Sequence, residues 1–190
     1  MERIKFDLIS PTAPARRAAA GESPPGPRAF RFSMLPSLYT AASMPPYVET
    51  RIVDEDIQPI DFETDADLIG ISFMTYNAPR AYEIAERFRV DKGKPVIFGG
   101  YHPTLMPEEA IQHADAVCVG DAEPNVPRMM EDLAAGRLGG LYASEPAPLA
   151  NLPIPRRDLI RKKDYAPVDV AQATRGCSHR CSFCSIAAFH

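Results

Sequence analysis

Three cysteines pose the chemical question in this sequence. Cys177, Cys181 and Cys184 stand in the run Ala173-Thr174-Arg175-Gly176-Cys177-Ser178-His179-Arg180-Cys181-Ser182-Phe183-Cys184. The spacing CxxxCxxC lets three thiols converge on one side of a compact loop, and thiolates are the usual ligands of iron-sulfur clusters. Three ligands on a four-iron cube leave one iron open to a further molecule. Zinc would want a fourth ligand, His179 or His190, and their spacing fits none of the common finger patterns. Cys181 and Cys184 also form a C-x-x-C. A thioredoxin-like redox pair, however, sits at a helix start after a strand and has no use for Cys177. The fourth cysteine, Cys118, lies inside an apolar run and reads as a small buried hydrophobe.

The chain that must position those thiols has 190 residues, 45% of them hydrophobic, enough for a real core. Its net charge of -4 gives no overall electrostatic footprint for nucleic acid or anionic lipid, so neither is expected as a partner. No apolar run approaches the ~18 residues of a membrane span, and MERIKFDLIS is not a basic leader followed by an apolar stretch. Four cysteines are too few for a disulfide scaffold. The expectation is a cytoplasmic protein with reduced thiols. The charge is unevenly spread: residues 151–190 hold 7 Lys and Arg against 3 Asp and Glu, whereas residues 1–150 hold 14 against 22. The cysteines therefore sit in a basic stretch that follows an acidic unit.

Prolines divide the chain. Pro11, Pro14, Pro24, Pro25 and Pro27 fall between Ser10 and Arg28 and predict a long loop. Pro146, Pro148, Pro153 and Pro155 can continue neither helix nor central strand. They place a boundary: a unit over residues 1–145, a proline-rich basic linker over 146–169, and a cysteine-bearing segment over 170–190.

Within the first unit, residues 3–9 and 48–54 alternate as strands do, with a helical stretch around 34–42 between them. Three short apolar runs, 66–73, 95–100 and 115–120, predict buried parallel strands. Between them, Ala81, Ile84, Ala85 and Phe88 repeat at helical spacing over 79–92, with Asn77 and Pro79 at the start and Gly93 at the stop. Val126, Met129, Met130 and Leu133 repeat that spacing, and a short helix is expected over 107–113. This alternation predicts an α/β fold, Rossmann-like or flavodoxin-like, with a five-stranded parallel sheet.

Such sheets bind ligands at the carboxyl ends of their strands, where adjacent loops diverge. Three loops qualify here. They offer Ser72, Met74, Thr75 and Asn77; then Gly99, Gly100, Tyr101 and His102; then Gly120, Asp121 and Glu123. Gly99-Gly100 alone reads as a turn, and no G-x-G-x-x-G fingerprint of a dinucleotide site is present. Asp121 and Glu123 precede a helix, where helix capping would be reason enough for acidic residues.

The cysteine run, with Phe183 before the last thiol and strand-like VAQAT before an Arg175-Gly176 turn, resembles the radical S-adenosylmethionine enzymes. The upstream unit is similar to the cobalamin-binding domain that precedes the radical domain in one branch of that family, through DADLIGISFMTYN, GGYHPTLMPEEA, ADAVCVGDAE and LPIPRRDL. The likeness covers roughly residues 45–184. It implies that Cys177, Cys181 and Cys184 ligate a 4Fe-4S cluster whose open iron chelates S-adenosylmethionine. An electron from a reductant of flavodoxin or ferredoxin type would then cleave it to a 5'-deoxyadenosyl radical. It implies further that the three loops, through the residues named above apart from Asp121, hold cobalamin and its nucleotide tail, for methyl transfer or related radical chemistry.

Two departures from the pattern bear on the site. The D-x-H-x-x-G that supplies a histidine to cobalt is missing, because Gly100 stands where the aspartate should precede His102. The third loop reads Gly-Asp-Ala-Glu where the branch usually has Glu at the second position. A radical-enzyme barrel takes on the order of 200 further residues, and this sequence ends six residues after Cys184. The expectation is thus the first strand and cluster loop of a truncated barrel, inactive by itself. The alternatives are a free-standing corrinoid carrier with a metal-binding or redox cysteine tail, and a flavodoxin-like signalling or nucleotide module with a structural metal.

Overall fold

The structure, a computed structural model, describes residues 3–20, 32 and 34–189. Its centre is a six-stranded, wholly parallel sheet of β1 (Ile4–Ser10), β2 (Val48–Asp54), β3 (Leu68–Ser72), β4 (Val96–Gly99), β5 (Ala116–Val119) and β6 (Gly140–Ala143). The strand order is β2-β1-β3-β4-β5-β6. Parallel neighbours require crossovers, supplied by α1 (Pro14–Ala20), α2 (Leu35–Ala42), α3 (Ala78–Glu86), α4 (Tyr101–Leu105), α5 (Pro107–Ala110) and α6 (Val126–Ala134). Growth reverses direction between β1 and β3, which is the switch point where α/β sheets open a crevice.

The central strands are buried on both faces, as their apolar runs require. On one face Ile69, Ile71 and Phe98 pack with Ala81, Ile84, Ala85 and Phe88 of the α3 side. On the other, Phe6, Leu68, Ile97 and Cys118 meet Met129 and Met130 of α6. Gly70 has a particular reason to lack a side chain: a Cβ there would lie 2.4 Å from the Phe6 ring. Fully burying residues such as Phe6 or Ile84 contributes about 1.5–3 kcal/mol each.

Several expectations are corrected. The sheet has six strands, not five. Only Tyr142 of β6 is buried, so this edge strand shows no apolar pattern in the sequence. The 79–92 helix is α3 followed by a π-helical turn, Arg87–Asp91. The short helix expected over 107–113 is α5, ending at Ala110, and a further helix, α4, precedes it. Part of the expected Ser10–Arg28 loop is helix α1, where Pro14 takes the first-turn position that proline tolerates and an alanine-rich run follows. Residues 21–28 of that stretch, with Pro24, Pro25 and Pro27, lie outside the described residues. VAQAT (170–174) is not a strand: it joins no ladder among the described residues, and pairing is what holds a strand extended.

Residues 146–169 contain only single 3₁₀ turns, yet they lie along the domain. The Arg156 N–H donates to the Leu38 carbonyl of α2 at 3.2 Å, Leu159 and Ile160 pack against Leu38 and Ile52, and the Tyr165 hydroxyl donates to Asp54 at 3.1 Å. This strap carries the chain from β6 back across the sheet to the carboxyl ends of the strands. There the cysteine segment begins.

Candidate functional site

A cavity of about 800 Å³ opens at the carboxyl ends of the strands, beside the switch point. Its walls are Ser10 and Pro11 at the end of β1, Ser72, Phe73 and Met74 at the end of β3, Gly100 and Tyr101 after β4, and Gly120 to Glu123 after β5. Helix α2 covers one side with Leu35, Tyr39 and Thr40, and residues of the cysteine segment, among them Gln172, Arg175 and Phe189, close another. Hydroxyls alternate here with flat apolar groups, a lining suited to a large ligand with an apolar body and a polar rim.

Of the residues expected from sequence, Ser72, Met74, Asn77, Gly100, Tyr101, Gly120 and Glu123 line this cavity, and Thr75, Gly99 and His102 do not. Asn77 has a structural task as well. Its side-chain amide does not cap α3; it donates to the Pro11 carbonyl at 2.8 Å and so ties the loop after β1 to the loop after β3. His102 is buried and turned away. Its Nε2 lies 2.9 Å from the Tyr82 hydroxyl, which donates to Glu109 at 3.0 Å, and its Nδ1 lies 3.4 Å from Thr75 Oγ1. Burial and the Glu109 contact push the Tyr82 phenol well above its ordinary range. The first turn of α4 sends the His102 ring into this network, so the histidine supports the loop and does not reach the cavity.

The glycines divide the same way. Gly100 has φ +100°, and a Cβ there would lie 2.7 Å from the Phe73 carbonyl oxygen and 2.9 Å from its nitrogen. This glycine serves close packing of one loop on another, not approach to a ligand. Gly120 is the opposite case, with φ +80° and nothing within 4 Å of its would-be Cβ. It leaves open space at the cavity wall.

The third loop holds what the sequence reading missed. Asp121 and Glu123 are not capping α6; the residue just before that helix, Asn125, directs its own amide to the Asp121 carbonyl at 2.9 Å. Their carboxylates, 6% and 9% exposed, both meet Arg175, itself 11% exposed. The guanidinium reaches Asp121 at 3.0 Å and Glu123 at 2.5 and 3.2 Å, and its Nε donates to Gln172 at 3.1 Å. Burial alone would lower the Arg175 pKa, but Glu123 and Asp121 outweigh it and hold the group above its ordinary value. The opposite charges of the acidic unit and the basic tail were the available signal for this contact.

Cys177 and Cys181 are exposed and Cys184 is half-buried. The turn is ordered by the Cys184 N–H donating to the Cys181 carbonyl at 3.1 Å, and the His179 N–H points at Cys177 Sγ at 3.5 Å. Among the described residues, no three His, Cys, Asp or Glu side chains are gathered as a metal site. The convergence expected from spacing is therefore not seen. Thiols supply no directional attraction to one another, and it is a shared metal that draws them together. His190 lies outside the described residues. Three accessible thiols on one short turn are a donor set that suits iron and sulfide. Cys118, by contrast, is buried in the sheet, and burial pushes its thiol up to about 12. It is a packing residue.

Comparison with known proteins bears on the same region. Residues 42–129 match the B12 binding domain family. The match takes in β2 to β5 and the loops that follow β3, β4 and β5. It is 37% identical over 148 residues to bacteriochlorophyllide d C-8(2)-methyltransferase of Chlorobaculum tepidum, covering 74% of this chain and 33% of that protein. It is 32% identical over 147 residues to bacteriochlorophyllide d C-12(1)-methyltransferase of the same organism, covering 73% and 32%. The chain thus spans about a third of the length of these relatives. Among solved structures, the radical S-adenosylmethionine methyltransferase TsrM from Kitasatospora setae aligns with a TM-score of 0.47 at 16% identity, covering 70% of this chain and 26% of that one. No helix among the described residues is long and apolar enough to cross a membrane.

Proposed function

We propose that the B12 binding domain of this chain holds cobalamin in the cavity at the carboxyl ends of its strands. Cys177, Cys181 and Cys184 hold a 4Fe-4S cluster that binds S-adenosylmethionine, as in a cobalamin-dependent radical enzyme of methyl-transfer type. One observation carries this reading: the cavity opens where the strands of the matched domain end, and the cysteine segment folds back onto its rim. Cobalamin and the cluster together would supply methyl-carrying and one-electron chemistry that no side chain here provides.

The chain's own residues have definite tasks in this reading. Gly120 leaves the wall free for close approach, Ser10, Ser72 and Thr40 offer hydroxyls to a polar rim, and Met74, Leu35 and Tyr39 offer apolar cover. No histidine is among the described residues lining the cavity, so nothing here assigns imidazole to cobalt. Arg175 with its two carboxylates and Phe189 stacked on Tyr101 at 4.4 Å hold the thiol turn beside the opening. A flavodoxin- or ferredoxin-type reductant is the partner the chemistry requires.

The test is loading. The chain is incubated with hydroxocobalamin, reconstituted anaerobically with iron and sulfide, and passed through gel filtration. One corrinoid per chain, a four-iron electron paramagnetic resonance signal after reduction, and loss of that signal on replacing any of the three cysteines are expected. Corrinoid without iron would leave a carrier module, and one zinc per chain without iron would overturn the cluster assignment.

A further inference from the structure

The contact between Arg175 and the third strand-end loop has more in it than a structural ion pair. Arg175 lies two residues before Cys177, separated by Gly176, which turns the chain with φ +73°. All three guanidinium nitrogens have partners, two of them on Asp121 and Glu123, and the guanidinium also lies 5.7 Å from the centre of the Tyr39 ring on α2. The loop after β5, the helix over the cavity and the base of the thiol turn thus meet at one side chain. Immediately beyond it the turn is exposed: Cys177 and Cys181 are open to solvent, and Phe183 is 91% exposed. The turn is next fastened at its far end, where Phe189 of the short helix α7 (Ile186–Phe189) stacks on Tyr101 of the loop after β4. Residues 177–185 are a span tied at both ends to two different strand-end loops.

A bidentate arginine fixes direction as well as distance, which a lysine in its place would not. We propose that Arg175 is a positioning residue: its ion pair with Asp121 and Glu123 orients the thiol turn, so that whatever the three cysteines hold lies at the mouth of the cavity. The functional meaning rests on the cavity being the corrinoid site. The positioning itself does not.

The experiment measures the turn's position directly. In the full chain with Cys181→Ser and Cys184→Ser, Cys177 carries one nitroxide and Val90→Cys, an exposed position on the turn after α3, carries the other. Pulsed dipolar spectroscopy then gives the distance distribution. A single narrow distribution is expected for the parent, at least a twofold broadening for Arg175→Met, partial recovery for Arg175→Lys, and recovery of the narrow form in the exchanged pair Arg175→Glu with Glu123→Arg. Because Arg175→Met removes the cation from between two buried carboxylates and can unfold the loop, the neutral triple Arg175→Met, Asp121→Asn, Glu123→Gln is measured beside it. It should melt within a few degrees of the parent and still be broad. A distribution as narrow as the parent's in either Met variant overturns the proposal, as does an exchanged pair that stays broad. Hydroxocobalamin co-elution, scored on the unlabelled chain, reads the corrinoid assignment separately: its failure with the expected distances would sink the cofactor and leave the positioning intact.

Discussion

The sheet and the cysteine segment are held in opposite ways. Strands β1, β3, β4 and β5 are surrounded by apolar neighbours on both faces, so many weak contacts fix each residue and no single one decides. The span 177–185 has few such contacts and depends on its two attachments, one ionic and one aromatic. Burial makes a scaffold tolerant in its details and costly to breach. Attachment at two points leaves three thiols accessible, with their placement in the charge of a few residues.

The largest contrast should come from one change made in each region. Phe6→Ala, in the fully buried ring over Gly70, is expected to cost about 3–5 kcal/mol in denaturant unfolding. Phe183→Ala should stay within about 0.5 kcal/mol of the parent. Comparable losses at the two sites would erase the distinction between them.

The glycines sharpen it inside the site. Gly100→Ala must hold a Gly-only backbone conformation, about 1–3 kcal/mol, and also displace the Phe73 backbone. Gly120→Ala meets nothing and should cost only about 1–2 kcal/mol for its positive φ. The first should lower stability most and the second should lower hydroxocobalamin affinity out of proportion to its effect on stability, as thermal melts and titrations of both variants will show.

The thiols give the smallest effect. Under native conditions three should react with a disulfide reagent while Cys118 stays protected until the chain unfolds. Because the Cys118 pKa is raised from 9.0 to about 12 in the fold, the unfolded chain gives up that proton first. Its contribution to stability is whole below pH 9 and declines as pH rises from there toward 12, by at most about 1.4 kcal/mol per pH unit. Tyr82 also titrates high, so the quantity to measure is the difference between the parent and Cys118→Ala. An identical pH dependence of the two would contradict the burial of this thiol.

The same contrast decided what could be read in advance. Strands β1 to β5 and the helices α3 and α6 announce themselves because burial writes a period into the sequence: Ile69 and Ile71 face one core, Leu68 the other. Strand β6 turns a single residue inward and writes none. Helix α1 was hidden because Pro14 reads as a breaker when it stands in a first turn. At the site, the loops could be located from the strand ends, but side-chain direction could not. His102 follows Gly100 in sequence yet turns away from the cavity, and Arg175 finds carboxylates 52 and 54 residues distant. Pairings of that range leave only a trace in the sequence, here the opposed charge of the two parts of the chain.

The central claim, that the carboxyl-end cavity receives a corrinoid, is tested most directly by hydrogen exchange of the full chain with and without hydroxocobalamin. Slowed exchange is expected in peptides covering residues 72–78, 100–105 and 119–125 and in helix α2, with none at the opposite ends of the strands around Lys94 and Asp115. Unchanged exchange in all three loops at saturating hydroxocobalamin, or protection confined to the opposite end of the sheet, would contradict it.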